Sequence, residues 1–187
     1  MTITETLIPG VLIFDPKVFN DDRGYFFESY SKKVFNDAGI DADFVQDNQS
    51  LSQKNTIRGL HAQAPPYAQG KLVRVLQGAV LDVAVDVRKG SPTYGRHVSV
   101  ELTAKNHRQL WIPPGCVHGF LTLVDDTIFA YKVSGGLYNK ASEIGLAWND
   151  PELAIGWGIA EKDAILSAKD QELPGLSSFN SPFIYTR

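Results

Sequence analysis

Cys116 is the only cysteine in the 187-residue sequence. No disulfide can form within the chain, and a reducing, cytoplasmic setting is expected. No apolar run approaches the ~20 residues needed to span a bilayer. The first ten residues, MTITETLIPG, lack the basic start and apolar stretch of a secretory leader. Positive charge is not in excess: 18 Lys and Arg stand against 21 Asp and Glu, for a formal net charge of -3. That leaves no general basic field for nucleic acid, although a local basic cluster could bind an anionic small molecule. There is no glycine-rich dinucleotide fingerprint, internal repeat or low-complexity segment. These absences predict a cytoplasmic protein that binds neither nucleic acid nor membrane.

What is present is ordinary globular sequence. Hydrophobic residues make up 43% and charged residues 21%, and the length suits one domain over residues 1–187. Turn signals recur at short intervals: Asp22-Arg23-Gly24, Gln77-Gly78, Lys89-Gly90-Ser91-Pro92, Pro113-Pro114-Gly115, Gly135-Gly136 and Asn149-Asp150-Pro151. Short β-rich runs lie between them, the pattern of a sandwich or barrel. The clearest run is Val80 to Arg88. Leu81, Val83, Val85 and Val87 share one face, and Asp82, Ala84, Asp86 and Arg88 share the other. Such alternation predicts one buried face and one that meets solvent or a polar lumen.

Further strands are expected at 72–76, 98–102, 109–112, 119–124 and 128–133. A helix is expected over 32–38, capped by Ser31 and ended by Gly39, with a second short one near 167–172. Many strands and few helices predict an all-β jelly-roll barrel.

Several polar residues do not suit a core. Period-2 phasing puts Ile57, Gly59 and His61 on one face, and Gly59 marks either a bulge or a close approach to the backbone. A lone histidine of this kind is most often structural. Lys71 is in phase with Val73 and Val75; it either snorkels from a strand end or meets an anion. The Pro113-Pro114-Gly115 turn re-enters a strand and delivers His118 near its start. Tyr131 shares a phase with Phe129 and Val133, which points its hydroxyl inward, where a hydrogen-bond partner is usual.

The segments around Lys71 and His118 suggest a cupin, a double-stranded β-helix barrel with a few short helices. Metal-binding cupins supply two histidines one residue apart, then a glutamate and a later histidine. Here Ala62 and Gln63 follow His61, and residues 64–70 contain no carboxylate. Two histidines are a poor ligand set for zinc or iron, so no metal is expected. An imidazole without metal is available as a general base.

The sequence resembles the dTDP-4-dehydrorhamnose 3,5-epimerase family. The likeness rests on Asp21–Ser29, Phe44–Asn48, Arg58-Gly59-Leu60-His61, Pro65–Arg74, Arg108–Pro113, His118-Gly119-Phe120, Tyr131-Lys132, Trp148–Pro151 and Leu166–Asp170. It covers nearly the whole chain. The resemblance implies epimerisation at C3 and C5 of dTDP-4-dehydro-6-deoxy-D-glucose, in dTDP-L-rhamnose synthesis, with no cofactor. It implies His61 as proton acceptor, Tyr131 as proton donor, Asp170 as the carboxylate that orients His61, and Lys71 at the sugar's C4 oxygen. It places Arg23, Glu28, Gln46, Asp47, Asn48, Arg58, His118, Glu143 and Lys169 at substrate-binding positions, and Tyr138 where a side chain stacks on thymine. It also implies a homodimer whose sites borrow residues from the partner. The chain departs from the family pattern at Ala62, where tyrosine is usual, and by an extra residue within 133–138.

The chemistry accounts for these residue types. A C4 ketone acidifies the hydrogens on C3 and C5, and removing one leaves an enolate with charge on the C4 oxygen. A fixed cation stabilises that charge more than the ketone. Inversion needs a base and an acid on opposite faces of the ring. Arg23 and Arg58 suit the diphosphate, because guanidinium groups clamp phosphate oxygens. Strict strand phase points Arg58 away from His61, so a bulge at Gly59 or a rim position is required. The alternatives are an epimerase acting at C3 or C5 alone, a non-catalytic cupin that binds sugar nucleotides, and a metal-dependent cupin oxygenase.

Overall fold

A computed structural model describes residues 1–186. The strands are β1 (Thr2–Glu5), β2 (Leu12–Asp15), β3 (Phe19–Asp21), β4 (Gly24–Phe26), β5 (Phe44–Ser52), β6 (Ile57–Gln63), β7 (Gln69–Gln77), β8 (Ala79–Asp86), β9 (His97–Thr103), β10 (Gln109–Ile112), β11 (Cys116–Thr122), β12 (Thr127–Gly135) and β13 (Glu143–Gly145). Two short α-helices join them, α1 (Lys32–Asp37) and α2 (Ala168–Gln171). The strand expected at Val80–Arg88 ends at Asp86, and the one expected at 119–124 is displaced to Cys116–Thr122.

Two antiparallel sheets face each other. One runs β1-β2-β10-β7-β12-β5 and the other β13-β6-β11-β8-β9, while β3 and β4 pair only with each other. Apart from β1–β2 and β8–β9, neighbours in each sheet are not consecutive in sequence, as in a jelly roll. Side chains from both sheets fill the space between them, with Val73, Val75, Leu110 and Phe129 from one meeting Val80, Val100, Leu102 and Phe120 from the other.

Burial explains the alternation in β8, with one refinement. Val83, Val85 and Val87 point away from the lumen and are covered by Leu146, Trp148, Leu153, Trp157 and Phe183 from the C-terminal part of the chain. The opposite face, which carries Val80, Asp82 and Ala84, lines the lumen. Both faces are therefore buried, and the face with the carboxylates is the inner one.

Helix α1 is too short to be stable alone. Phe35 anchors it, only 2% exposed and stacked on Phe14 with ring centroids 4.4 Å apart. Leu12, Leu72 and Trp111 complete that contact on the outside of the six-stranded sheet. The expected Ser31 cap does not form: Ser31 stands at the N-cap in extended conformation, but its side chain makes no cap bond. Docking through Phe35 holds the helix instead. Ser167 does cap α2, its hydroxyl accepting from the Asp170 N–H at 3.3 Å. No helix among the described residues is long and apolar enough to cross a membrane.

Candidate active site

The site begins with an irregularity in pairing. His61 pairs with His118 and Arg58 with Phe120, and the register shifts between them. Gly59 and Leu60 thus face Gly119 alone, which is a β-bulge. The bulge reverses the parity of β6. Arg58 and His61 consequently line one cavity, while Ile57, Leu60 and Ala62 pack outward. Gly59 has a φ of +126°, and a Cβ there would lie 2.5 Å from Gly119 Cα. The close approach at Gly59 is therefore between two strands of this chain.

The cavity, about 640 Å³, lies in the lumen at the end where α2 closes against β6. From the five-stranded sheet comes His61. Its Nε2 lies 2.7 Å from Asp170 Oδ1, and Asp170 is buried. Burial pushes the Asp170 carboxyl up, but the bond to His61, the attraction of that ring when protonated and the Ser167 contact outweigh burial and hold the carboxyl below its usual value. From the six-stranded sheet come Lys71 and Tyr131, with the Lys71 Nζ 5.9 Å from the centroid of the Tyr131 ring. Burial pushes the Lys71 ammonium down to about 8, against the pull of Asp82 and Glu143. Burial likewise raises the Tyr131 phenol, against a bond from Asn48 and the charge of Arg58. A phenol so raised stays protonated at neutral pH and can act as an acid.

The other sequence candidates divide into groups. Gln46 and Asn48 face the lumen, and Gln46 Nε2 donates to Asn48 Oδ1 at 2.9 Å. Asp47, one residue out of phase, lies on the opposite face and pairs with Lys132 at 3.0 Å. The Arg58 Nε donates to Ser52 Oγ at 3.0 Å, which holds the guanidinium at the cavity edge. Tyr138, Glu143 and Lys169 gather at a second lobe. There the Lys169 Nζ is 2.5 Å from one Glu143 oxygen and the Tyr138 hydroxyl 3.3 Å from the other. His118 is buried deeper, with Nε2 3.0 Å from Asp82 Oδ2.

Arg23 and Glu28 do not join them. Arg23 sits on the exposed β3–β4 hairpin, paired with Asp21 at 2.6 Å, and neither residue lines the cavity. Sequence reasoning missed Asp82 and Ser52. The signal for Asp82 was a carboxylate alternating with the valines of a strand, and Ser52 offered none. Among the described residues, no three His, Cys, Asp or Glu side chains converge as a metal shell.

Comparison with known proteins identifies the family of the chain. The sequence matches the family described as dTDP-4-dehydrorhamnose 3,5-epimerase over residues 5–178. It is 53% identical over 171 residues to the dTDP-4-dehydrorhamnose 3,5-epimerase of Shigella flexneri, covering 91% of this chain and 93% of that one. The fold superposes with a TM-score of 0.93 and 44% identity on the dTDP-6-deoxy-D-glucose-3,5-epimerase of Legionella pneumophila in complex with dTDP-4-keto-L-rhamnose, covering 99% of each chain. A 3'-monoepimerase from Streptomyces bikiniensis in complex with dTDP-quinovose gives a TM-score of 0.86 at 34% identity, covering 92% of this chain and 87% of that one. The inward-facing histidine, lysine and tyrosine of this two-sheet barrel thus sit in a chain that belongs to the dTDP-4-dehydrorhamnose 3,5-epimerase family.

Proposed function

We infer that this chain is a dTDP-4-dehydrorhamnose 3,5-epimerase of dTDP-L-rhamnose biosynthesis, and that His61 and Tyr131 are its base and acid. One observation carries the assignment of roles. His61 projects from one sheet and Tyr131 with Lys71 from the other, and all three line one cavity. A sugar ring held between the sheets presents one face to the base and the opposite face to the acid, which is what inversion at carbon requires.

His61 takes the proton from C3 or C5, and the electron pair moves into the ring–carbonyl system as an enolate on the C4 oxygen. Lys71 stabilises that oxygen. Its charge matters most once the enolate forms, so its contribution appears in the transition state. Tyr131 then delivers a proton to the other face of the same carbon. Asp170 orients the imidazole and stabilises it when protonated. Arg58 and Lys169 are cations placed to meet the diphosphate. Gln46, Asn48, Tyr138 and Glu143 line the lobe suited to the nucleoside. Residues 1–187 act as one cupin-like unit.

The protein acts as a homodimer. Arg23 and Glu28 match the family's substrate-binding positions yet lie outside this chain's cavity, so a second copy supplies them. Tyr25 and Phe26, 60% and 71% exposed beside Arg23, are the surface such a copy would cover. Light scattering should give twice the chain mass at micromolar concentration; a monomer overturns the assembly.

Incubation with dTDP-4-keto-6-deoxyglucose in D₂O tests the reaction. Deuterium at both C3 and C5 is expected. Deuterium at one carbon makes the chain a single-site epimerase, and deuterium at neither leaves a binding protein.

A further inference from the structure

The cavity has a second imidazole–carboxylate pair that the chemistry above does not use. Asp82 is fully buried on β8, between β11 and β9 in the five-stranded sheet. Its two oxygens lie 3.0 and 3.1 Å from His118 Nε2, and His118 is itself 7% exposed. A buried carboxylate is costly unless it is matched by a donor or a cation. Asp82 has both: the His118 N–H in contact, and Lys71, on which it exerts the strongest anionic pull. Burial pushes His118 below its usual range despite Asp82. The imidazole is therefore neutral, and its proton sits on Nε2, facing the carboxylate.

Two polar atoms are left open. His118 makes its side-chain bonds through Nε2 alone, and no buried polar side-chain atom among the described residues lacks a partner. His118 Nδ1 is therefore accessible from the cavity. The Lys71 ammonium makes no hydrogen bond among the described residues and lines the same cavity. Behind both stands Asp82, out of reach of any substrate.

We propose that Asp82 is a positioning residue of the epimerase: a buried carboxylate that fixes the tautomer of His118 and keeps Lys71 charged in the desolvated lumen, ready for the enolate oxygen. The inference rests on the epimerase reading above. A lysine that must be an ammonium to hold an oxyanion, in a site that drives it towards the amine, needs a fixed counter-charge that does not itself occupy the substrate's place. Asp82 meets both conditions. Charged and titratable groups around Lys71 come from every wall: Asp82 and His118, His61 and Arg58, Glu143, Lys169 and Tyr131. Of the carboxylates that act on Lys71, Glu143 is engaged by Lys169 at 2.5 Å, which leaves Asp82 as the one whose charge is not already matched by another cation.

The test is the pH profile of kcat/KM, which reports the free enzyme, measured with wild type, Asp82→Asn and Lys71→Arg. Wild type should lose activity on the alkaline side near 8, where Lys71 gives up its proton. Tyr131, raised by burial, titrates above that limb. Asp82→Asn should move the limb to lower pH by about one unit or more, since a nearby opposite charge is worth ~1–3 units. Its affinity for dTDP should stay within threefold of wild type. Lys71→Arg should abolish the limb, because guanidinium does not titrate in this range.

A limb that stays in place in Asp82→Asn, with activity lowered equally at every pH, makes Asp82 structural and overturns the proposal. A limb that survives in Lys71→Arg overturns it too. If Asp82→Asn does not fold, Asp82→Ser, which leaves room for a water, takes its place. Failure of both to fold assigns Asp82 to the scaffold alone and refutes the inference. Wild type that exchanges no sugar hydrogen at any pH refutes the epimerase reading and the inference with it, whereas an unmoved limb on an active enzyme refutes the inference only.

Discussion

His61 and His118 are Cα partners across β6 and β11, and each has its own carboxylate behind it. Asp170 lies 2.7 Å from the first and Asp82 3.0 Å from the second. The pairs differ in access. The His61 side chain is 22% exposed and the His118 side chain 7%, so His61 is the more accessible imidazole of the two that line the cavity. His61→Asn should therefore abolish exchange of sugar hydrogens with solvent, a loss of at least ~10²-fold. Asp170→Asn removes the orienting carboxylate but leaves the base, and should cost about 10- to 100-fold. Deuterium wash-in followed by NMR measures both. Equal losses in the two variants would mean that Asp170 itself moves the proton.

Lys71 links function to a cost in stability. Its folded value of about 8 lies below the unfolded reference of 10.5. The unfolded chain therefore holds this proton more tightly, and stability rises as pH climbs from 8 towards 10.5. Lys71→Met should melt above wild type at pH 7, and the gap should narrow as pH is raised through that window. Turnover should fall by ~10²–10³-fold, as for loss of one oxyanion donor, while affinity for dTDP stays within several-fold. Weakened binding with unchanged turnover would place Lys71 on a phosphate instead.

Gly59 is where the backbone tolerates no side chain. Alanine there would carry a positive φ and press its Cβ onto Gly119 Cα. Strain of this type costs ~1–3 kcal/mol and overpacking a similar amount, so Gly59→Ala should lose about 3 kcal/mol or more. At ~2–4 °C per kcal/mol for a chain of this size, the melting temperature should fall by roughly 6 °C at least. Calorimetry showing an unchanged Tm would mean that the two strands can part at no cost.

How far the sequence could be read follows from what periodicity encodes. Alternation in Val80–Val87 reported which residues share a face, and the structure keeps that parity. It could not report which face is inner, because in β8 both are buried and the C-terminal segment hides the apolar one. Parity also failed at Arg58, since one inserted residue at the Gly59 bulge reverses it. A glycine in a strand signals a bulge without saying which partner it meets. Asp82 was legible only as a carboxylate on the polar face of an alternating strand, and its partner His118 is 36 residues away, a distance no local pattern spans. Arg23 and Glu28 came from family resemblance alone, and neither lines the cavity of this chain.

Tyr131 gives the sharpest separation of roles. Removing its hydroxyl should leave His61, Asp170 and Lys71 in place, because the ring packs on the core cluster that includes Phe129. In Tyr131→Phe the enolate can still form and His61 can return a proton to the face it came from. Solvent deuterium should then enter at C3 or C5, while net inversion falls by ~10²-fold or more, the usual scale for loss of a general acid. The raised phenol adds a pH criterion. Tyr131 donates only while protonated, and burial extends that range upward. Inversion and exchange in wild type should therefore decline together near 8, where Lys71 fails first, and should not separate there. In Tyr131→Phe they should be separate at every pH. Loss of exchange and inversion in equal measure would show Tyr131 acting before reprotonation, and the division between acid and base drawn here would be wrong.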